Sequence, residues 1–159
     1  MTNEYNHEPN DYACPFCLLL GGHNDEYATQ DDIVYQNEFA TAKIAPKWWV
    51  NNPGHVLVVP NEHYENIYNI PAEILAEVYK VVQKVAVAIR ATYGCDGTST
   101  RQHNEPAGNQ DVWHLHVHVF PRYKGDQLYE NHEKKSFVDG AARAPYAKKL
   151  QAYFAENKG

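Results

Sequence analysis

Asp111-Val112-Trp113-His114-Leu115-His116-Val117-His118-Val119-Phe120-Pro121-Arg122 is the stretch whose reading decides the fold. Apolar and polar residues alternate here with a period of two, the repeat of a β-strand with different surroundings on its two faces. His114, His116 and His118 then line one side, and Leu115, Val117 and Val119 line the other. The spacing predicts a strand over 112–120, stopped by Pro121. Three imidazoles in a row are poor core material, because each has two ring nitrogens to satisfy. Three uses of such a face stay open. One is a nucleophilic histidine flanked by supporting histidines, since neutral imidazole is a good nucleophile near pH 7. Another is a catalytic zinc held by all three. The third is a polar face without chemistry.

The surroundings of this strand predict one domain over residues 1–159. A chain of 159 residues is long enough to bury a core of its own. With 43% hydrophobic and 21% charged residues, disordered, collagen-like and coiled-coil chains are excluded. Apolar runs such as Phe16-Cys17-Leu18-Leu19-Leu20 are far shorter than a membrane span, and no Lys or Arg precedes Lys43 to make the basic start of a signal peptide. The expectation is a cytoplasmic protein with no membrane partner. Net charge is −6, and residues 1–42 hold eight of the 20 acids and no Lys or Arg. An acidic arm of this kind repels nucleic acid. Three cysteines, two of them in Cys14-Pro15-Phe16-Cys17, argue against a disulfide framework and for metal or redox chemistry.

Along the chain, residues 1–12 read as a loose polar arm. Short strands are expected at Asp32–Gln36 and Phe39–Ala45, an irregular loop at Pro46–Pro53, and a buried strand at His55–Val59 ended by Pro60. Pro71 opens a long helix, with Ile74, Val78, Val81, Val82, Val85 and Ile89 at helical spacing and Gly94 closing it. A further strand is expected at Cys95–Arg101, and a short terminal helix at Pro145–Asn157. Short strands around one long helix give an α+β fold with a mainly antiparallel sheet.

His114-Leu-His116-Val-His118-Val-Phe followed by Pro121-Arg122 resembles the signature of the histidine triad superfamily of nucleotide hydrolases and transferases. Gly108-Asn109-Gln110-Asp111-Val112 resembles the family's Gly-Gln-x-Val lead-in. Pro53-Gly54-His55-Val56-Leu57-Val58-Val59-Pro60 with His63 resembles its Gly-His-x-Leu-Val-x-Pro segment, and Cys14–Cys17 stands where many members carry Cys-x-x-Cys. The likeness spans about residues 14–123.

The resemblance implies a domain whose central sheet presents the triad, and a homodimer. It makes His116 the nucleophile at the α-phosphorus of a nucleotide phosphoramidate or dinucleoside polyphosphate, through a nucleotidyl-histidine intermediate. His118 would contact the phosphate and share its developing charge. Gln110 would add a polar phosphate contact. The position that members fill with Asn or Gln falls on His103 by spacing, or on the adjacent Asn104. Some members hold a structural zinc, and the same four residue types here are Cys14, Cys17, His55 and His114. Alternatives are a zinc-dependent hydrolase with the triad as ligands, and a nucleotide-binding protein without turnover.

One departure from the family pattern stands out. Lys43, in Ala42-Lys43-Ile44-Ala45-Pro46, occupies the place where an acid commonly binds the ribose hydroxyls; Asn51 and Asn52 are candidate substitutes. The pair Trp48-Trp49 reads as a base-stacking surface, a core element or a dimer contact. His63 reads as a pocket or a surface residue, Cys95 as a buried thiol, and His7, His23 and His132 as solvated.

Overall fold

The computed structural model describes residues 4–158. Its centre is a five-stranded antiparallel sheet in the order β1-β2-β4-β6-β5, from β1 (Ile33–Gln36), β2 (Ala40–Ile44), β4 (Val56–Pro60), β5 (Gly97–Gln102) and β6 (Val117–Arg122). The long helix α2 (Ala72–Thr92) lies on one face, together with the C-terminal helix α3 (Gly140–Glu156). The opposite face carries the short helix α1 (Pro15–Leu20) and a two-stranded ribbon, β3 (Lys47–Trp49) with β7 (Lys135–Phe137). The α+β class and the antiparallel sheet are as the sequence predicts.

Period-two alternation assigns the faces. Ala42, Ile44, Val56, Val58, Leu115, Val117 and Val119 join Val78, Val81, Val82, Val85, Ala88 and Ile89 of α2 in the main core. Each fully buried Val or Ile there contributes on the order of 1.5–3 kcal/mol relative to exposure. Lys43, His55, Leu57, His116, His118 and Phe120 face the other way, where Phe16 of α1 and Trp49 of β3 cover them.

Strand β6 differs from its expected bounds at both ends. It begins at Val117, opposite Gln102, the last residue of β5, and opposite Val58, two residues before β4 ends at Pro60. Continuing the registers would set Leu115 opposite Pro60, which has no N–H, and opposite Asn104, beyond the end of β5. The backbone before β6 finds partners outside the ladder, with Leu115 N–H donating to Tyr64 O at 2.6 Å. Pro121 does not stop the strand. Its carbonyl accepts from Asn52 Nδ2 at 2.8 Å, so its backbone faces away from β5, on the side where pairing with β4 has already ended at Val119. The segment expected as loop, 46–53, holds β3, whose partner β7 was not foreseen.

Helix α3 starts at Gly140 rather than Pro145, since Asp139 Oδ1 caps it by accepting from Ala142 N–H at 2.8 Å. Residues 4–12 of the expected loose arm are tied down: the N–H groups of His7 and Glu8 donate to the carboxylate of the buried Glu65 at 2.7–2.9 Å. Residues 1–3 lie outside the described part. Gly54 has φ +78°, and a Cβ there would collide with the Tyr146 ring.

Two buried cations behave oppositely. Arg143 of α3 is 1% exposed and donates from Nε and Nη2 to the two carboxylate oxygens of Asp32 at 2.9 and 3.1 Å. Lys43 is 2% exposed and makes no hydrogen bond or ion pair among the described residues. Burial pulls Lys43 down to about 8, against the opposing pull of Asp32. R143A leaves Asp32 uncompensated and is expected to cost about 3–5 kcal/mol in urea unfolding. K43M is expected to do the reverse and stabilise the fold at pH 7 by about 2 kcal/mol. Between about 8 and the ordinary 10.5 the unfolded chain holds the Lys43 proton more tightly, so wild-type stability rises with pH across that window. The K43M gain therefore shrinks over the same window, which a stability series from pH 7 to 10.5 measures.

Candidate functional site

His116 precedes β6 and is 3% exposed. Its Nδ1–H donates to the carbonyl oxygen of His114, two residues back, at 2.7 Å. In the neutral ring that bond selects the Nδ1–H tautomer and leaves the lone pair on Nε2. The Asp111 carboxylate stands 3.5 Å from Nε2 and is held below the usual carboxylate range by the contact. His118, in β6, stacks on Phe120 with its Nδ1 3.4 Å from His55 Nε2. Burial, reinforced by His116 and His55, lowers its pKa well below the ordinary imidazole value. It is therefore a neutral partner at pH 7, suited to donate a hydrogen bond.

Both His116 and His118 open onto a cavity of about 400 Å³. Phe16, Leu57, Val112, Trp49 and Phe137 give it apolar walls, while Lys43, Lys47 and Lys135 add cations. Burial holds His55, in the same wall, down to about 3, with Lys43 and His116 adding to the effect. The His55 Nδ1 and the indole N–H of Trp49 have no protein partner among the described residues. Apolar walls with a few unmatched polar groups suit a small ligand with a ring and an anionic end.

The loop before the triad sorts its expected phosphate ligands. The His103 ring centre lies 5.8 Å from that of His118, with Nδ1–H donating to Gly108 O at 2.7 Å. Asn104 is turned elsewhere: Oδ1 accepts from Ile67 N–H at 2.8 Å and from Gln102 Nε2. The amide of Gln110 is also engaged, donating to the carbonyls of Glu65 and Val112 and accepting from Glu105 N–H. Gln110 and Asn104 shape the loop, and of the three residues His103 alone reaches the triad.

His114 points away from the cavity, into a second cluster. Its Nε2–H donates to Pro60 O at 2.9 Å, leaving the Nδ1 lone pair 3.3 Å from Cys14 Sγ and 3.6 Å from Cys17 Sγ. His63 mirrors it. Nε2–H donates to the Glu8 carboxylate at 2.8 Å, and Nδ1 lies 3.1 Å from His114 Nδ1 and 3.4 Å from Cys17 Sγ. Hydrogen bonds with Cys14 and Glu8 raise His63 to about 9. Cys14 falls to about 5, since the neighbouring imidazoles outweigh its burial. Tetrahedral bonds of 2.0–2.3 Å to a zinc ion imply donor separations of roughly 3.3–3.8 Å, which these resemble. The two sulfurs and two imidazoles can hold a metal ion, each imidazole oriented by an oxygen behind it.

His63 therefore takes the place expected of His55 in this set. The reason is strand length. The cysteines and His114 gather at the Pro60 end of β4, while His55 precedes the other end, five residues or roughly 16 Å away. The available signal was that His63 lies three residues beyond the end of the strand. Lys135 and Phe137 were missed because nothing local in 133–138 marks β7.

Comparison with known proteins agrees with this architecture. The HIT domain family profile matches residues 28–125. An uncharacterized HIT-like protein of Methanocaldococcus jannaschii is 35% identical over 115 residues, covering 71% of this chain and 81% of that one. An adenylylsulfatase of Arabidopsis thaliana is 30% identical over 116 residues, covering 73% and 55%. The crystal structure of a zinc-bound histidine triad family protein from Mycobacterium smegmatis superposes with TM-score 0.73 at 28% identity, covering 91% and 94%. With His116 and His118 at one cavity, His114 in the cysteine cluster beside it and a family match over most of the sheet, the chain belongs to the HIT domain family.

Proposed function

We propose that this protein is a nucleotide hydrolase or transferase that cleaves at the α-phosphate through a nucleotidyl-histidine intermediate. The observation that carries the reading is the 2.7 Å bond from His116 Nδ1–H to His114 O, which presents the Nε2 lone pair beside an apolar cavity. Family membership and the adenylylsulfatase relative support a nucleotide as the substrate.

The chemistry follows from the tautomer. His116 Nε2 attacks the α-phosphorus, an N–P bond forms, and the bond from phosphorus to the leaving group breaks with its electron pair going to that group, which takes a proton from solvent and departs from a phosphoramidate as the neutral amine. The charge developing on the phosphoryl oxygens is met by His118, which donates from its ring, and by the cationic wall. Water, or an acceptor in transfer, then attacks phosphorus and returns the electron pair to Nε2. Its proton is lost to solvent. Nucleotide phosphoramidates and dinucleoside polyphosphates both present a bond of this kind at the α-phosphorus. A homodimer in the cytoplasm belongs to the same reading.

We assign Cys14, Cys17, His63 and His114 to a structural zinc. Four protein donors close a tetrahedral shell and leave no position for water, which disfavours a metal-hydroxide mechanism. The ion would tie α1 to the segment carrying His116. Its chemistry there is scaffolding, and no bond to the substrate depends on it.

Two outcomes test these assignments. Incubation with adenosine 5′-phosphoramidate and an alkaline quench should leave adenylate mass on His116, and H116N should lower kcat by a factor of about 10³ or more. Turnover without adduct, or an H116N enzyme at wild-type rate, overturns the covalent mechanism. Metal analysis should find one zinc per chain, lost in C17S and H63A and kept in H55A. Zinc retained by H63A and lost from H55A overturns the ligand set.

A further inference from the structure

We propose that Lys43 is a specificity residue of the cavity, selecting nucleotides whose ribose carries a second phosphate in addition to the one at which cleavage occurs. The inference rests on the nucleotide reading of the His116 centre and names the substrate class within it.

Three observations lead there. Lys43 is 2% exposed, yet its ammonium has no hydrogen bond and no ion pair among the described residues. The two carboxylates that act on it are engaged elsewhere. Asp32 is bound to Arg143 through both oxygens, and Asp25 Oδ1 accepts from the N–H groups of Tyr27 and Ala28. A buried charge without a partner is costly, and the fold holds this one in the wall of the cavity that contains the nucleophile. Unlike a surface lysine, it faces neither bulk water nor a protein anion.

Its place in the sheet sets the distance. Lys43 pairs with Leu57, and Leu57 pairs with His118, so the three lie on one rung and one face. Two strand spacings, roughly 9.5 Å, separate the backbones of Lys43 and His118. A nucleotide with its 5′-phosphate at His116 and His118 would direct its ribose along this rung towards Lys43, with the base against the apolar walls.

The charges around the cavity fit a second anion. Lys43, Lys47 and Lys135 line it together with Asp25 and Asp111, and its histidines add no negative charge. Lys47 and Lys135 lie 5.1 and 4.9 Å over the rings of Phe137 and Trp49, on the ribbon above the sheet. Among these cations Lys43 is the buried one, and the one on the rung of His118. An ammonium in this position repels nothing on a neutral ribose, but an unmodified ribose would leave it uncompensated. A 2′- or 3′-phosphate would supply charge-assisted hydrogen bonds in a site already shielded from water.

The test compares adenosine 5′-phosphoramidate with its 2′-phosphorylated and 3′-phosphorylated forms on the full-length protein. For one of the phosphorylated forms kcat/KM should exceed that of the parent by about tenfold to a hundredfold, the range expected of a buried charge-assisted contact. In K43M and K43Q that ratio should fall to about one. A wild-type ratio near one, with turnover present, overturns the proposal. So does an equal loss on all three substrates in both variants, which would place Lys43 on the shared 5′-phosphate. Calorimetric binding of adenosine 5′-monophosphate, 2′,5′-bisphosphate and 3′,5′-bisphosphate separates this inference from the catalytic one. If no substrate turns over but a bisphosphate binds tenfold more tightly in wild type and not in K43M, the covalent mechanism falls and the anion site stands. Equal binding of all three removes the anion site, whatever the turnover.

Discussion

One residue connects the two centres of this protein. The side chain of His114 enters the cysteine cluster through Nδ1, while its backbone carbonyl receives the Nδ1–H of His116. Anything that fixes His114 therefore fixes both the direction and the tautomer of His116. Pro60 holds the far side of the same ring, so the end of β4, the cysteine knuckle and the proposed nucleophile form one continuous chain of hydrogen bonds. The nearby backbone has little ladder support, since β6 begins only at Val117. Side-chain contacts replace the sheet at this point, and a closed metal site would be an effective way to make them rigid.

The strand beyond His114 is constrained from both faces. Val117 and Val119 must meet α2, and a register slip of one residue would turn them outward and bury the histidines in apolar core. The alternation that gives the fold its core thus also delivers His116 and His118 to the cavity. The ribbon of β3 and β7 completes that cavity, bringing Trp49 and Lys135 over a face that would otherwise be open.

Lys43 and Arg143 show how the same fold treats buried charge in two ways. Arg143 is neutralised by Asp32 and joins α3 to the segment before β1. Lys43 is left unmatched in the wall of the cavity that holds His116 and His118, where its burden on stability has no structural return among the described residues. Unmatched polar groups gather in this wall, as the orphaned Nδ1 of His55 and the indole N–H of Trp49 also show.

The strands of the main sheet, the long helix and the two faces of the histidine strand were legible in the chain, because each depends on residues close together in sequence, whereas three of the four clustered donors came from the resemblance to a family. Period-two and helical spacing are local properties that propensity and burial enforce together. What only the tertiary structure decided depends on distance through space. His63 and not His55 meets the cysteines, because the length of β4 separates them by its whole span. Gln110 and Asn104 are held by the backbone of the loop, whereas His103 reaches the triad. β7 forms because β3 offers it an edge, with no signal of its own. Whether a lysine in an apolar strand is paired, and what it faces, is set by which carboxylates have already found other partners.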